Sequence, residues 1–128
     1  MNLLLDTHAL IWWFTDDERL RPTARQLIAD SGNRVFVSAA SAWEIATKHR
    51  LGKLPGVPEA VSRYSELVAA DGFEHLSISH LHSQRAGSYP AGHRDPFDRM
   101  LAAQSELERL PLVTRDPAFA EFGTRTLW

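Results

Sequence analysis

Four acidic residues close or follow short apolar or hydroxyl-rich runs in this chain. They are Asp6 ending NLLLD, Glu44 in SAASAWEIATK, Asp98 in HRDPFDRMLAAQ and Asp116 ending LVTRD. Carboxylates gathered in one place repel one another and raise each other's pKa unless a cation neutralises them. Magnesium or manganese does that, because carboxylate and water oxygens suit hard divalent ions. Such an ion polarises a phosphoryl oxygen and lowers the pKa of bound water. The four acids therefore point to metal-dependent chemistry on phosphate, provided the fold brings them together.

The elements that must position them read as an alternation of strands and helices. Leu3–Leu5 is a short apolar strand bounded by Asp6, and THALIWWF follows as a short helix. Pro22 opens a helix that Gly32 closes. Val35–Val37 is a second strand, and Ser41 with Glu44 matches a capping box opening a helix toward Arg50. Residues 51–58 form a loop, Pro58 starts a helix ended by Gly72, and Leu76–Ile78 is a third strand. Ser79 starts a short helix and residues 88–94 form a loop. Asp95-Pro96 opens a helix through Arg109, and Leu112–Thr114 is a fourth strand. A helical turn around Phe119 precedes an edge strand over Thr124–Trp128. Alternation of this kind predicts an α/β fold with a mostly parallel sheet covered on both faces. In such a sheet the carboxyl ends of the strands form the ligand crevice, and Asp6 and Asp116 follow two of those ends.

Each acid also has a structural explanation. Asp6, Asp95 and Asp116 are favoured helix N-caps, Asp98 suits the first turn of a helix dipole, and Glu44 completes a capping box. Caps do not explain why acid follows acid at the same end of successive units. Further candidates flank them. Thr7, Ser38 and Thr114 are hydroxyls near the expected crevice, and Arg94, Arg99 and Arg115 either steer a phosphate backbone or pair with the acids. His80 and His82 diverge on a helix and read as hydrogen-bonded or solvated. Trp12, Trp13, Phe14 and Trp43 read as core, with an exposed partner groove as the alternative. Lys48, Arg50 and Lys53 read as a solvated basic face, with phosphate binding as the alternative.

Composition limits the other classes. The chain has 128 residues, 44% hydrophobic and 23% charged, which fits a single domain over 1–128. A net charge of −2 disfavours a protein that coats nucleic acid non-specifically. With no cysteine, disulfides and thiolate zinc sites are excluded. The absence of a basic n-region or a long apolar run predicts a cytoplasmic protein without a membrane span.

LLLDTHALIWW, SAASAWEIATKHRLGKL, HRDPFDRMLAAQ and LVTRDPAF, in that order, resemble the motifs of PIN-domain proteins of the VapC toxin type. The resemblance implies a three-layer Rossmann-like sandwich with strand order 3-2-1-4-5. It implies a magnesium- or manganese-dependent endoribonuclease with catalytic residues Asp6, Glu44, Asp98 and Asp116. Asp6, Asp98 and Asp116 would be the metal ligands, with Asp95 as a possible additional acid. It also implies a VapB-type antitoxin partner and a homodimer. A structure-specific DNA nuclease of the same superfamily is one alternative, disfavoured by the lack of large insertions. A catalytically inactive scaffold is another, disfavoured by retention of the acids. A phosphoacceptor domain would need paired acids after the first strand and a late lysine, and no lysine follows Lys53.

Overall fold

The structure is a computed structural model that describes residues 1–54, 56, 58–90 and 92–128. Pro55 and Val57 of the expected 51–58 loop, and Ala91 of the 88–94 loop, lie outside the described residues. Strands β1 (Asn2–Leu5), β2 (Arg34–Ser38), β3 (Glu74–Leu76), β4 (Leu112–Val113) and β5 (Thr126–Leu127) form one sheet. Its order is β3-β2-β1-β4-β5 and every pairing is parallel. Helices α1 (Thr7–Phe14), α2 (Pro22–Ala29), α3 (Ala39–Arg50), α4 (Pro58–Ser62), α5 (Tyr64–Ala70), α6 (His80–Ser88) and α7 (Pro96–Glu108) connect the strands, with a 3₁₀ helix over Pro117–Phe122.

The strand residues alternate between two apolar layers. Leu3 and Leu5 join Val35, Val37 and Val113 in a core with Ala9, Ile28 and Val68. Leu4 and Leu112 face the other way, against Leu101, Ala102 and Phe119. Both faces of the sheet are covered, as period-two side-chain alternation in a parallel sheet requires.

Register decides what meets at the carboxyl edge. Leu5 lies opposite Val37 on one side and Val113 on the other. The next residues, Asp6, Ser38 and Thr114, therefore leave the sheet side by side. β1 sits where the chain turns from building one half of the sheet to building the other, the switch point at which α/β sheets open a crevice.

Several boundaries differ from the sequence reading. α3 begins at Ala39, not at Ser41. Ser38 is the last residue of β2 in extended backbone, and its Oγ accepts from Ala40 N at 2.9 Å. The strand end is thus itself the cap, and Ser41 and Glu44 lie inside the helix. α2 stops at Ala29, before Gly32, whose N–H donates to Asp30 Oδ1. The helix from Pro58 breaks at Arg63, where φ is −119°, and Gly72 closes α5 at φ 69°. β3 is Glu74–Leu76 because its partner β2 ends at Ser38, opposite Leu76. Arg34 reinforces that register with a two-pronged bond to Glu74 at 2.7 Å. Thr114 lies just beyond β4, and the edge strand shortens to Thr126–Leu127.

Candidate metal-dependent active site

Asp6 leaves β1 and caps α1, with Oδ1 accepting from Ala9 N at 2.7 Å. It is only 5% exposed. Burial drives its pKa from 3.8 up to about 6, against hydrogen bonds from Thr114 and Ala9 that favour the charge, and with Asp116 and Glu44 adding repulsion. Asp116 caps the 3₁₀ helix through Ala118 N at 2.9 Å, and Thr114 Oγ1 accepts from Asp116 N at 3.0 Å. Thr114 thus links the Asp6 carboxylate to the Asp116 backbone across the β1–β4 junction.

Glu44 is 3% exposed on the buried side of α3. It caps nothing; its Oε2 accepts from Lys48 one turn later. Asp98 stands in the first turn of α7, where Asp95 is the cap, its Oδ1 accepting from Phe97 N and Asp98 N. Burial raises Asp98 from 3.8 to about 6. A bond from His93 opposes that rise, and the Asp95 and Glu44 charges add to it. Glu44 therefore acts on both halves of the cluster, on Asp6 from α3 and on Asp98 from the same side chain.

His93 is the site residue that the sequence reading missed. Its Nε2 lies 2.8 Å from Asp98 Oδ2 and its Nδ1 lies 3.8 Å from Glu121 Oε2. The signal was its place five residues before Asp98 in HRDPFDR. Arg99 holds the loop that carries it, donating to the carbonyls of His93, Ala86 and Tyr89 at 2.7–3.2 Å. Arg99 is thus spent on structure rather than turned to a ligand. Thr7 and Ser38 are also engaged: Thr7 Oγ1 meets Ser41 Oγ at 3.0 Å in the interior, and Ser38 caps α3. Arg94 is exposed. Arg115 lies over the Trp12 ring at 4.4 Å, beside Asp6 and Asp116.

The aromatic residues divide. Trp12 is buried, and Trp13 donates Nε1–H to Asp71 at 2.9 Å. Trp43, expected in the core, is 61% exposed. It lies off the arc of α3 that buries Ala40, Ser41, Glu44 and Ile45, and it stacks edge-on against Phe97 at 4.8 Å. With Ile78 and Met100 these rings line an apolar cleft. His82 is hydrogen-bonded as expected, to Ser79 N at 3.0 Å and Glu108 at 2.9 Å.

Hard oxygen donors that repel one another at a sheet switch point have the chemistry a divalent cation needs. Asp6, Asp98 and Asp116 fit such an ion by type and by charge. Among the described residues no three acids or histidines converge closely enough to form a closed cage on their own. The site is an open acidic crevice, with Glu44 tied to Lys48 and Asp98 to His93.

Residues 3–124 match the PIN domain family. Over 69 residues the chain is 39% identical to Ribonuclease VapC16 of Mycobacterium tuberculosis, covering 52% of this chain and 49% of that protein. The match thus spans about half the length of that curated relative. Two solved structures share the fold. One is a toxin–antitoxin complex from Klebsiella pneumoniae, at 22% identity and TM-score 0.62, covering 92% of this chain and 90% of its counterpart. The other is VapBC2 from Rickettsia felis bound to a DNA fragment from their promoter, at 16% identity and TM-score 0.71, covering 100% and 98%.

Proposed function

The chain belongs to the PIN domain family, and on that premise we propose that it is a magnesium- or manganese-dependent endoribonuclease of the VapC toxin type. The observation that carries the reading is Glu44. It is a buried carboxylate with no capping duty, and its charge bears on Asp6 and on Asp98 together. A purely structural set of caps has no use for it.

In this reading Asp6, Asp98 and Asp116 hold the cation. When bound, it would neutralise the cluster, polarise the scissile phosphate and acidify a water. The protein's own residues supply position. Thr114 and Ala9 fix the Asp6 carboxylate through hydrogen bonds. His93 fixes Asp98, and Lys48 holds Glu44. Glu44 takes the proton of the attacking water, and in-line attack leaves a 5′-phosphate and a 3′-hydroxyl. Asp95 serves as the α7 cap that places Asp98 rather than as a ligand.

The partner is a VapB-type antitoxin, an assignment supported by the toxin–antitoxin and VapBC2 complexes among the structural relatives. The exposed apolar cleft around Trp43 and Phe97 is the surface available to it or to a second copy of the chain. The test is cleavage of RNA by wild type, Asp6→Asn, Asp98→Asn and Glu44→Gln, in magnesium and in chelator. Each variant should lose about 10²–10³ in rate, the usual cost of one transition-state electrostatic group. Full activity in Asp98→Asn, or wild-type activity in chelator, would overturn the reading.

A further inference from the structure

The crevice does not end at the carboxylates. A cavity of about 380 Å³ lined by Asp6, Asp116, Arg115 and Trp12 shares His8, Trp12 and Arg19 with a second of about 480 Å³ that reaches Lys53. Trp12 forms the floor between them. Arg115 lies 4.4 Å and Arg19 5.1 Å from its ring centre. The indole is 5% exposed, with both guanidinium groups stacked on it.

The cations along this path are not equivalent. Arg19 is neutralised by Asp17, which takes its Nε–H and Nη2–H at 3.0 and 2.8 Å. Arg115 and Lys53 are exposed and, among the described residues, neither side chain makes a hydrogen bond or a salt bridge; the backbone N–H of Lys53 donates to the Lys48 carbonyl at 2.8 Å. Arg115 rests on the indole face within reach of the Asp17 charge, and among the described residues no hydrogen bond engages its guanidinium donors. That is an anchored cation in no direct ion pair, with the Asp17 charge nearby, next to the acids that would handle a scissile phosphate.

We propose that the cleft from Asp6 and Asp116 past Arg115 to Lys53 binds the phosphodiester backbone of one RNA strand without reading its bases. That the strand is RNA rests on the ribonuclease reading. Arg115 takes the phosphate beside the scissile one, because a guanidinium matches phosphate oxygens two at a time. Lys53 takes a phosphate further along as a point charge. Base stacking on an open aromatic platform is the usual source of further affinity for single strands. Here that platform is covered, since Trp12 spends its face on the arginines.

The test uses the full chain carrying Asp6→Asn, which stops turnover, and fluorescence anisotropy with labelled single-stranded oligoribonucleotides across a salt series. Adding Arg115→Ala should weaken binding about tenfold, as for loss of one charge-assisted hydrogen bond. It should also lower the salt slope by about 0.7, one phosphate on a single strand. The loss should be equal for oligo(U), oligo(A) and oligo(C), and Lys53→Ala should act the same way. In the otherwise wild-type chain, Arg115→Ala should raise KM and spare kcat. An unchanged salt slope in both variants would overturn the proposal. So would a loss confined to one base, or equal competition by duplex RNA. A cleft taken by an acidic peptide rather than RNA would leave the RNA slope untouched, and so also counts against it. Absence of RNA cleavage by the wild type would instead sink the ribonuclease reading, while the anisotropy still decides the cleft.

Discussion

Replacing Asp6 by Asn should make the metal-free protein more stable, and only at the right pH. Asp6 is buried, and its carboxyl titrates near 6 instead of 3.8. Holding it ionised at neutral pH therefore costs about 3 kcal/mol, at 1.36 kcal/mol per pKa unit. The opposing bonds from Thr114 and Ala9 are already inside that net value. Between pH 3.8 and about 6 the folded chain keeps a proton that the unfolded chain has released. The stability this group contributes is therefore complete below pH 3.8 and lost as pH rises through 6. Asn never ionises, and it caps a helix about as well as Asp. In chelator at pH 7.5, Asp6→Asn should exceed wild type by up to about 3 kcal/mol, on the order of 10 °C in melting temperature. At pH 3.5 the two should coincide. Magnesium at a hundredfold excess over its Kd should return about 2.7 kcal/mol to wild type and far less to the variant. Urea denaturation at pH 3.5, 5, 6 and 7.5, with and without magnesium, measures all of this. A variant less stable than wild type at pH 7.5 would refute the reasoning, because Asp6 would then be a cap and nothing more. A gap of the same size at pH 3.5 and 7.5 would refute it too.

Two further outcomes follow from the packing. Trp12→Ala should cost about 3–5 kcal/mol, the range for a buried aromatic, while Trp43→Ala should cost no more than about 1.5 kcal/mol, the worth of one ring pair; thermal melts of both variants separate a core indole from a surface one. Ser41→Ala and Thr7→Val each break the buried hydroxyl pair that ties α1 to α3, so a double-mutant cycle by urea denaturation should give a coupling of about 0.5–3 kcal/mol, and additive losses would show that the bond contributes nothing.

The strand order was carried by the resemblance, while the alternation of elements was visible in the residues themselves. LLL before Asp6 and LVT before Arg115 are short apolar runs with acids close behind, and both fold as central parallel strands. What stayed hidden was set by pairing across the sheet rather than by local pattern. Ser38 read as a hydroxyl beyond the strand and Ser41 as the cap, because S-x-x-E is a strong local signal. The end of β2 made Ser38 the cap and carried Glu44 into the helix interior. β3 slid by two residues for the same reason, since its register belongs to β2. Trp43 misled because indole size argues for burial, whereas its angular place on α3 decides exposure. Arg19 and His93 gave no sequence signal by type. Their significance lies in Trp12, Asp17 and Asp98, which only the fold brings beside them.

Cap and ligand are not competing roles for these acids. A carboxylate has two oxygens, and in Asp6 and Asp116 the capping bonds fall on Oδ1. The helix N-terminus also carries a partial positive charge, which offsets some of the repulsion of a crowded acidic edge. Capping is thus a cheap way to hold a carboxylate at a strand end while leaving an oxygen toward the crevice. The same reasoning isolates the acids that capping cannot account for. Asp98 accepts no capping bond, and Glu44 sits in mid-helix with only a lysine for company. Both are pressed toward the cluster at a cost in repulsion, and the helices α3 and α7 would be sound without either charge. Capping leaves Asp98 and Glu44 unexplained, and the proposed cation is what accounts for them.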